Sequence, residues 1–107
     1  MNQGDKVIVN FPFTSLEQKK IRPALIISNE KFNRGTNVIL LAIFGNWNAY
    51  SEELLDEDLE EGKLNKKSYI RFSNIFSFEK RLLIGKIGSM TIKATERMRG
   101  KLLEYFN

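Results

Sequence analysis

Two apolar runs, Ala24-Leu25-Ile26-Ile27-Ser28 and Asn37 through Phe44, constrain this chain more than any other feature. Each is near-continuously apolar, which reads as a strand buried on both faces. Pro23 sets the start of the first run, and Asn33, Arg34 and Gly35 mark the turn into the second. Ahead of them, Val7-Ile8-Val9-Asn10-Phe11 follows Gly4-Asp5 and reads as another strand. It is stopped by Phe11-Pro12-Phe13-Thr14, because proline cannot donate to a ladder. A polar loop fills the interval from Thr14 to Ile21.

Gly45-Asn46-Trp47-Asn48 ends the apolar pattern. The acidic stretch beyond it has Leu54, Leu55, Leu59 and Leu64 as its apolar anchors, which predicts a short strand and then a turn or short helix ending near Gly62. Ser68-Tyr69-Ile70-Arg71-Phe72 alternates with period two, so Tyr69 and Arg71 share one face and Ile70 and Phe72 the other. Leu82 to Ile87 gives a further strand, and Thr91 is placed to cap a terminal helix. On that helix Ile92, Thr95, Met98 or Arg99, Leu102, Leu103 and Phe106 recur at helical spacing, a stripe for packing on the sheet. Gly100 costs the helix about 1 kcal/mol relative to Ala unless close packing requires it. Five or six short antiparallel strands followed by one helix predict a mostly β chain with some α: a small, partly open barrel plugged at one end by the helix.

Composition narrows the chemistry. A chain of 107 residues, 42% apolar with eight Phe, fits one domain spanning residues 1–107 with a closed core. With no Cys and no His, disulfide frameworks and the usual zinc and iron sites cannot be assembled. The start lacks the basic and apolar regions of a secretory signal, and no run is long enough to span a bilayer, so the expected location is the cytoplasm. Seven of the thirteen acids, Glu52, Glu53, Asp56, Glu57, Asp58, Glu60 and Glu61, fall in one ten-residue stretch. Outside it 17 bases face six acids, a balance that suits either a phosphate-rich partner or simple solubility.

Gly4-Asp5-x-Val7-Ile8-Val9-x-Phe11-Pro12-Phe13-Thr14, then Ile21-Arg22-Pro23-Ala24-Leu25-Ile26-Ile27-Ser28-Asn29, resembles the opening of the PemK/MazF toxins of type II toxin–antitoxin systems. Ser68 through Lys80 resembles their central strand and the turn after it, and Lys86-Ile87-Gly88 their closing segment. The resemblance implies an SH3-like barrel that forms a homodimer and cleaves single-stranded RNA without a metal or other cofactor. It also implies a cognate antitoxin whose extended tail covers the active groove.

Cleavage of RNA by its own 2′-hydroxyl requires a proton acceptor, cations for the charge gathering on phosphoryl oxygens, and a proton source for the leaving oxygen. Arginine suits the second task, since its guanidinium stays ionised and binds phosphate oxygens in pairs. By the resemblance Arg22 is the catalytic arginine, at a loop-to-strand junction, and Arg71 a second one used by part of the family. From the residues alone, the favoured reading is that each simply pairs with a carboxylate at the barrel rim. Two positions depart from the family pattern. Phe44 and Gly45 stand where a Ser or Thr commonly helps position the reacting groups, and Ser73 stands where several members carry an acid. Ser73 can orient a water or the phosphate, while Glu17 or Glu79 could stand in as proton acceptor. Lys19 and Lys20 are placed to steer an RNA backbone, and Phe13, Trp47 or Tyr50 to stack unpaired bases. The alternative is a toxin-fold protein impaired in catalysis that binds nucleic acid or a protein target such as gyrase. A plain interaction module is the third possibility.

Overall fold

The computed structural model describes residues 1–11 and 20–107, with Lys20 described by its backbone alone. Its elements are β1 (Asp5–Phe11), β2 (Lys20–Ile26), α1 (Glu30–Asn33), β3 (Asn37–Phe44), β4 (Ser51–Leu54), β5 (Leu59–Glu61), β6 (Ser68–Glu79), β7 (Leu83–Met90) and α2 (Ile92–Leu103). The strands make one antiparallel sheet in the order β4-β6-β3-β2-β1-β7-β5. As the apolar runs require, β2 and β3 lie inside it.

The chain forces this sheet to curl. Its edge strands β4 and β5 are separated only by residues 55–58, a link that reaches at most roughly 18 Å. Seven flat strands would span about 29 Å between the same edges. A short 3₁₀ turn, Asp56–Asp58, crosses the seam, and Asp58 fastens it. The Asp58 carboxylate accepts from the Leu55 N–H at 2.9 Å and from Arg97 of α2 at 2.8 Å. Its carbonyl accepts from the Thr91 N–H at 2.9 Å. At the β5–β7 edge, Gly62 has φ +94°, and a Cβ on Gly88 would come within 2.6 Å of the Glu61 carbonyl oxygen, so the two backbones meet where no side chain fits.

Two buried clusters occupy opposite faces of the sheet. Leu25, Ile27, Leu41, Ile43, Leu54, Ile70, Phe72 and Met90 pack with Ala94 and Met98 of α2. Val7, Val9, Phe11, Ala24, Ile26, Val38, Leu40, Ala42 and Phe78 form the second, with Phe44, Phe76 and Leu83 at its margin.

The outline expected from sequence stands, a curled antiparallel barrel with a C-terminal helix, with corrections of detail. Seven strands are present among the described residues, because the acidic stretch yields two short edge strands, β4 and β5. β2 begins at Lys20, before Pro23, since its ladder with β3 starts only at Ala24 and Pro23 needs no donor on that side. Thr91 caps α2 as expected, accepting from the Ala94 N–H at 3.0 Å. The inward stripe of α2 is Ala94, Thr95, Met98 and Leu102, whereas Ile92, Leu103 and Phe106 are exposed. Both stripes have helical spacing, and the small Ala94 gives the face that approaches the sheet closely.

Candidate active site

Arg22 lies within β2, opposite Val9 of β1. Ala24 pairs with Ala42 of β3, and continuing that register sets Arg22 across from Phe44, the last residue of β3. On its other side Phe44 pairs with Tyr69 of β6, which makes Arg71 its diagonal neighbour on the same face. The side chains meet accordingly. The guanidinium carbon of Arg22 lies 4.6 Å from the Phe44 ring centroid, and that of Arg71 lies 3.6 Å from it. One ring therefore carries two cations no more than about 8 Å apart.

The energies are nearly balanced. Each cation–π contact contributes about 0.5–1 kcal/mol at a partly exposed site. At that upper limit of separation two positive charges repel by roughly 0.5–2 kcal/mol, depending on solvation, and they repel more if closer. An anion bound by both would convert that repulsion into attraction.

Among the described residues neither arginine is in an ion pair, so the rim carboxylates open to them in sequence terms are not their partners. Arg71 reaches only Asn46, donating from Nη2 to Oδ1 at 3.5 Å, and its Nε is buried without a partner.

Ser73 is placed differently from Arg71. Between Leu41 and Ile43 the β3 partner jumps from Ile75 to Ile70, so residues 71–74 of β6 bulge opposite Ala42. The bulge shifts the alternation: Tyr69 and Arg71 share the Phe44 face before it, and Phe76 and Phe78 share that face after it. Ser73, inside the bulge, is exposed and donates only to Asn74 Oδ1 at 3.3 Å, with no hydrogen bond to either arginine. Trp47 is 66% exposed in the turn that also holds Asn46, beside Asn48, which accepts from the Tyr50 N–H. Tyr50 instead contacts Tyr105 after α2. Glu79 pairs with Asn37 at the far end of β3 and binds Arg81 at 2.7 Å, too distant from Phe44 to serve the arginines. Phe13, Glu17 and Lys19 lie outside the described residues, as does the side chain of Lys20. Among the described residues no group of His, Cys, Asp or Glu could hold a metal ion, and no helix is long and apolar enough to cross a membrane.

A protein-family model for the PemK-like, MazF-like toxins of type II toxin–antitoxin systems matches residues 2–106. The chain belongs to that family. Its members are known as endoribonucleases with antitoxin partners. No curated protein matches the chain in sequence. Among solved structures it is similar to a mycobacterial endoribonuclease in complex with its cognate antitoxin, at TM-score 0.76 and 17% identity, covering 99% of this chain and 92% of that one. It is also similar to the Mycobacterium tuberculosis toxin MazF-mt6, at TM-score 0.74 and 20% identity over 95% of each chain. MazF from Deinococcus radiodurans follows, at TM-score 0.72 and 20% identity over 99% and 96%.

Within this PemK/MazF framework the structure brings three residues to the arginine face that sequence reasoning did not select for it. Phe44 does so as the shared ring, although in sequence it counted only as a missing Ser or Thr. Asn46 does so through its contact with Arg71. Glu53 does so by register: it pairs with Tyr69, as Ser51 pairs with Arg71, so it stands on the same face of the sheet. No local motif marks it, since it is one acid in a run of seven.

Proposed function

We propose that this protein is a metal-independent endoribonuclease that cleaves single-stranded RNA and is neutralised by a cognate antitoxin. The observation that carries this reading is the pair of arginines on one aromatic ring, neither of them in an ion pair among the described residues. A basic pair left uncompensated on a sheet face suits an incoming phosphate.

In this reading Arg22 and Arg71 bind the scissile phosphate and stabilise charge on its non-bridging oxygens as the 2′-hydroxyl oxygen bonds to phosphorus and the bond to the 5′ oxygen breaks. Glu53 takes the 2′-hydroxyl proton, being the carboxylate that strand register supplies to this face. The leaving 5′ oxygen takes a proton from water. Trp47 stacks an unpaired base, with Lys19, Lys20 and Phe13 along the path of the strand. The active form is a homodimer in the cytoplasm.

The test is cleavage of labelled single-stranded RNA in EDTA. Arg22→Ala should lower the rate about 10²–10³-fold with an unchanged melting temperature, as expected for loss of a group that stabilises transition-state charge. Glu53→Gln should lower it less and flatten the acid limb of the pH–rate profile. An inert parent protein on every RNA offered would sink the proposal. The isolation of Ser73 from both arginines supports a second reading, RNA binding without cleavage. Salt-dependent retardation of RNA with no cutting would select it.

A further inference from the structure

Phe44 is oddly placed for a residue that only fills space. It closes β3, half-buried, packed against the margin of the second cluster and also in contact with two cations. Arg71 has few other restraints: a long contact to Asn46 and a buried Nε with no partner. For Arg22 the Phe44 ring is the restraint seen among the described residues. The two arginines stand on different strands, β2 and β6, which β3 separates. Phe44 is the one side chain in contact with both guanidinium groups among the described residues.

We propose that Phe44 is a positioning residue whose ring holds Arg22 and Arg71 together as a pre-formed phosphate-binding pair. The inference rests on the endoribonuclease reading for its catalytic consequence, while the pre-organisation itself is a property of the free protein. Two long cationic side chains left to themselves repel and sample many rotamers. A ring whose π system attracts both restrains them about one centre before RNA arrives, so less order is lost when the phosphate binds. The ring thus supplies by attraction the positioning that a hydrogen-bonding hydroxyl at this place would supply by direct contact.

The test compares Phe44→Leu, which keeps apolar bulk and removes the π face, with Phe44→Tyr, which keeps the face. The first measurement needs no RNA: proton and nitrogen NMR of the two arginine side chains. In the parent protein the Hε and Hδ signals of Arg71 should carry an upfield ring-current shift. Phe44→Leu should abolish it and raise side-chain mobility at both arginines, and Phe44→Tyr should preserve it. The second is cleavage of a long single-stranded transcript in EDTA. Phe44→Leu should lower kcat at least about tenfold with a smaller change in KM, and Phe44→Tyr should restore most of the loss. Unchanged arginine spectra in Phe44→Leu would overturn the proposal, as would a parent-like kcat. If Phe44→Leu does not fold, Phe44→Met takes its place in both measurements. A parent protein that cuts nothing, yet shows the arginine shifts moving together in Phe44→Leu, would sink the endoribonuclease reading and support the positioning role.

Discussion

The seam of the barrel and the arginine face hold the same kinds of charge and treat them in opposite ways. At the seam Arg97 binds buried Asp58 and approaches Glu52, and the hydrogen bond to Asp58 leads the effects that raise the pKa of Arg97. On the arginine face two guanidinium groups share a ring, and among the described residues neither is in an ion pair. Paired charge closes the fold, and unpaired charge leaves a place for an anion. The contrast shows why net charge was a poor guide, because acids of the acidic stretch, Asp58 and Glu52 with Arg97 and Glu61 with Lys86, are spent on contacts within the fold.

Breaking the seam should give the largest effect on stability. Asp58→Ala leaves the Leu55 N–H and Arg97 without their acceptor. Because Arg97 is 40% exposed and screened by water, the expected loss is about 2 kcal/mol rather than the larger figure for a fully buried pair. That is a fall of about 10 °C in melting temperature, read by calorimetry. Arg22→Ala should do the reverse, lowering cleavage about 10²–10³-fold and sparing stability. If both substitutions lowered stability equally, the distinction between the two regions would fail.

Lys6 sharpens the comparison as a charge with neither fate. It is 6% exposed, and burial pushes its ammonium below the ordinary lysine range while Asp56 pulls it back up. The folded protein therefore holds this proton less tightly than the unfolded chain does. Through the alkaline range the unfolded state binds more protons, so the Lys6 contribution to stability rises with pH until the ordinary lysine value is passed. Lys6→Met should raise the urea midpoint at neutral pH and flatten that rise. An equally steep rise in the variant would refute the assignment.

The smallest effect belongs to Gly100 on α2. A Cβ there would meet nothing within 4 Å, so no packing demands glycine. Gly100→Ala should stabilise by about 0.5–1 kcal/mol without altering RNA cleavage, a control far from both charge networks.

Much of this was legible before any coordinates. The β3 run was read to its ends because an unbroken apolar stretch between turn residues has few alternatives, and Thr91 was read as a cap because its hydroxyl sits one residue before a helical pattern. The alternation from Tyr69 to Phe72 correctly set Arg71 on the face opposite Ile70 and Phe72, although that face carries the second cluster. The bulge at residues 71–74 was not legible, because a bulge depends on how two strands fit and leaves no mark in either strand alone.

What sequence determined by itself was local: which segments are strands, where the terminal helix begins, the absence of His and Cys, and a family likeness resting on Arg22, Arg71 and their neighbours. Only the tertiary structure decided what those residues meet. Arg22, Phe44 and Arg71 lie far apart in sequence, and strand register alone stacks them. Register also turned Phe44 from a missing hydroxyl into a shared aromatic support, and made Asp58, one acid among seven, the clasp of the barrel. The physical reason is that contacts between strands are set by the packing of the whole sheet, which no single segment encodes.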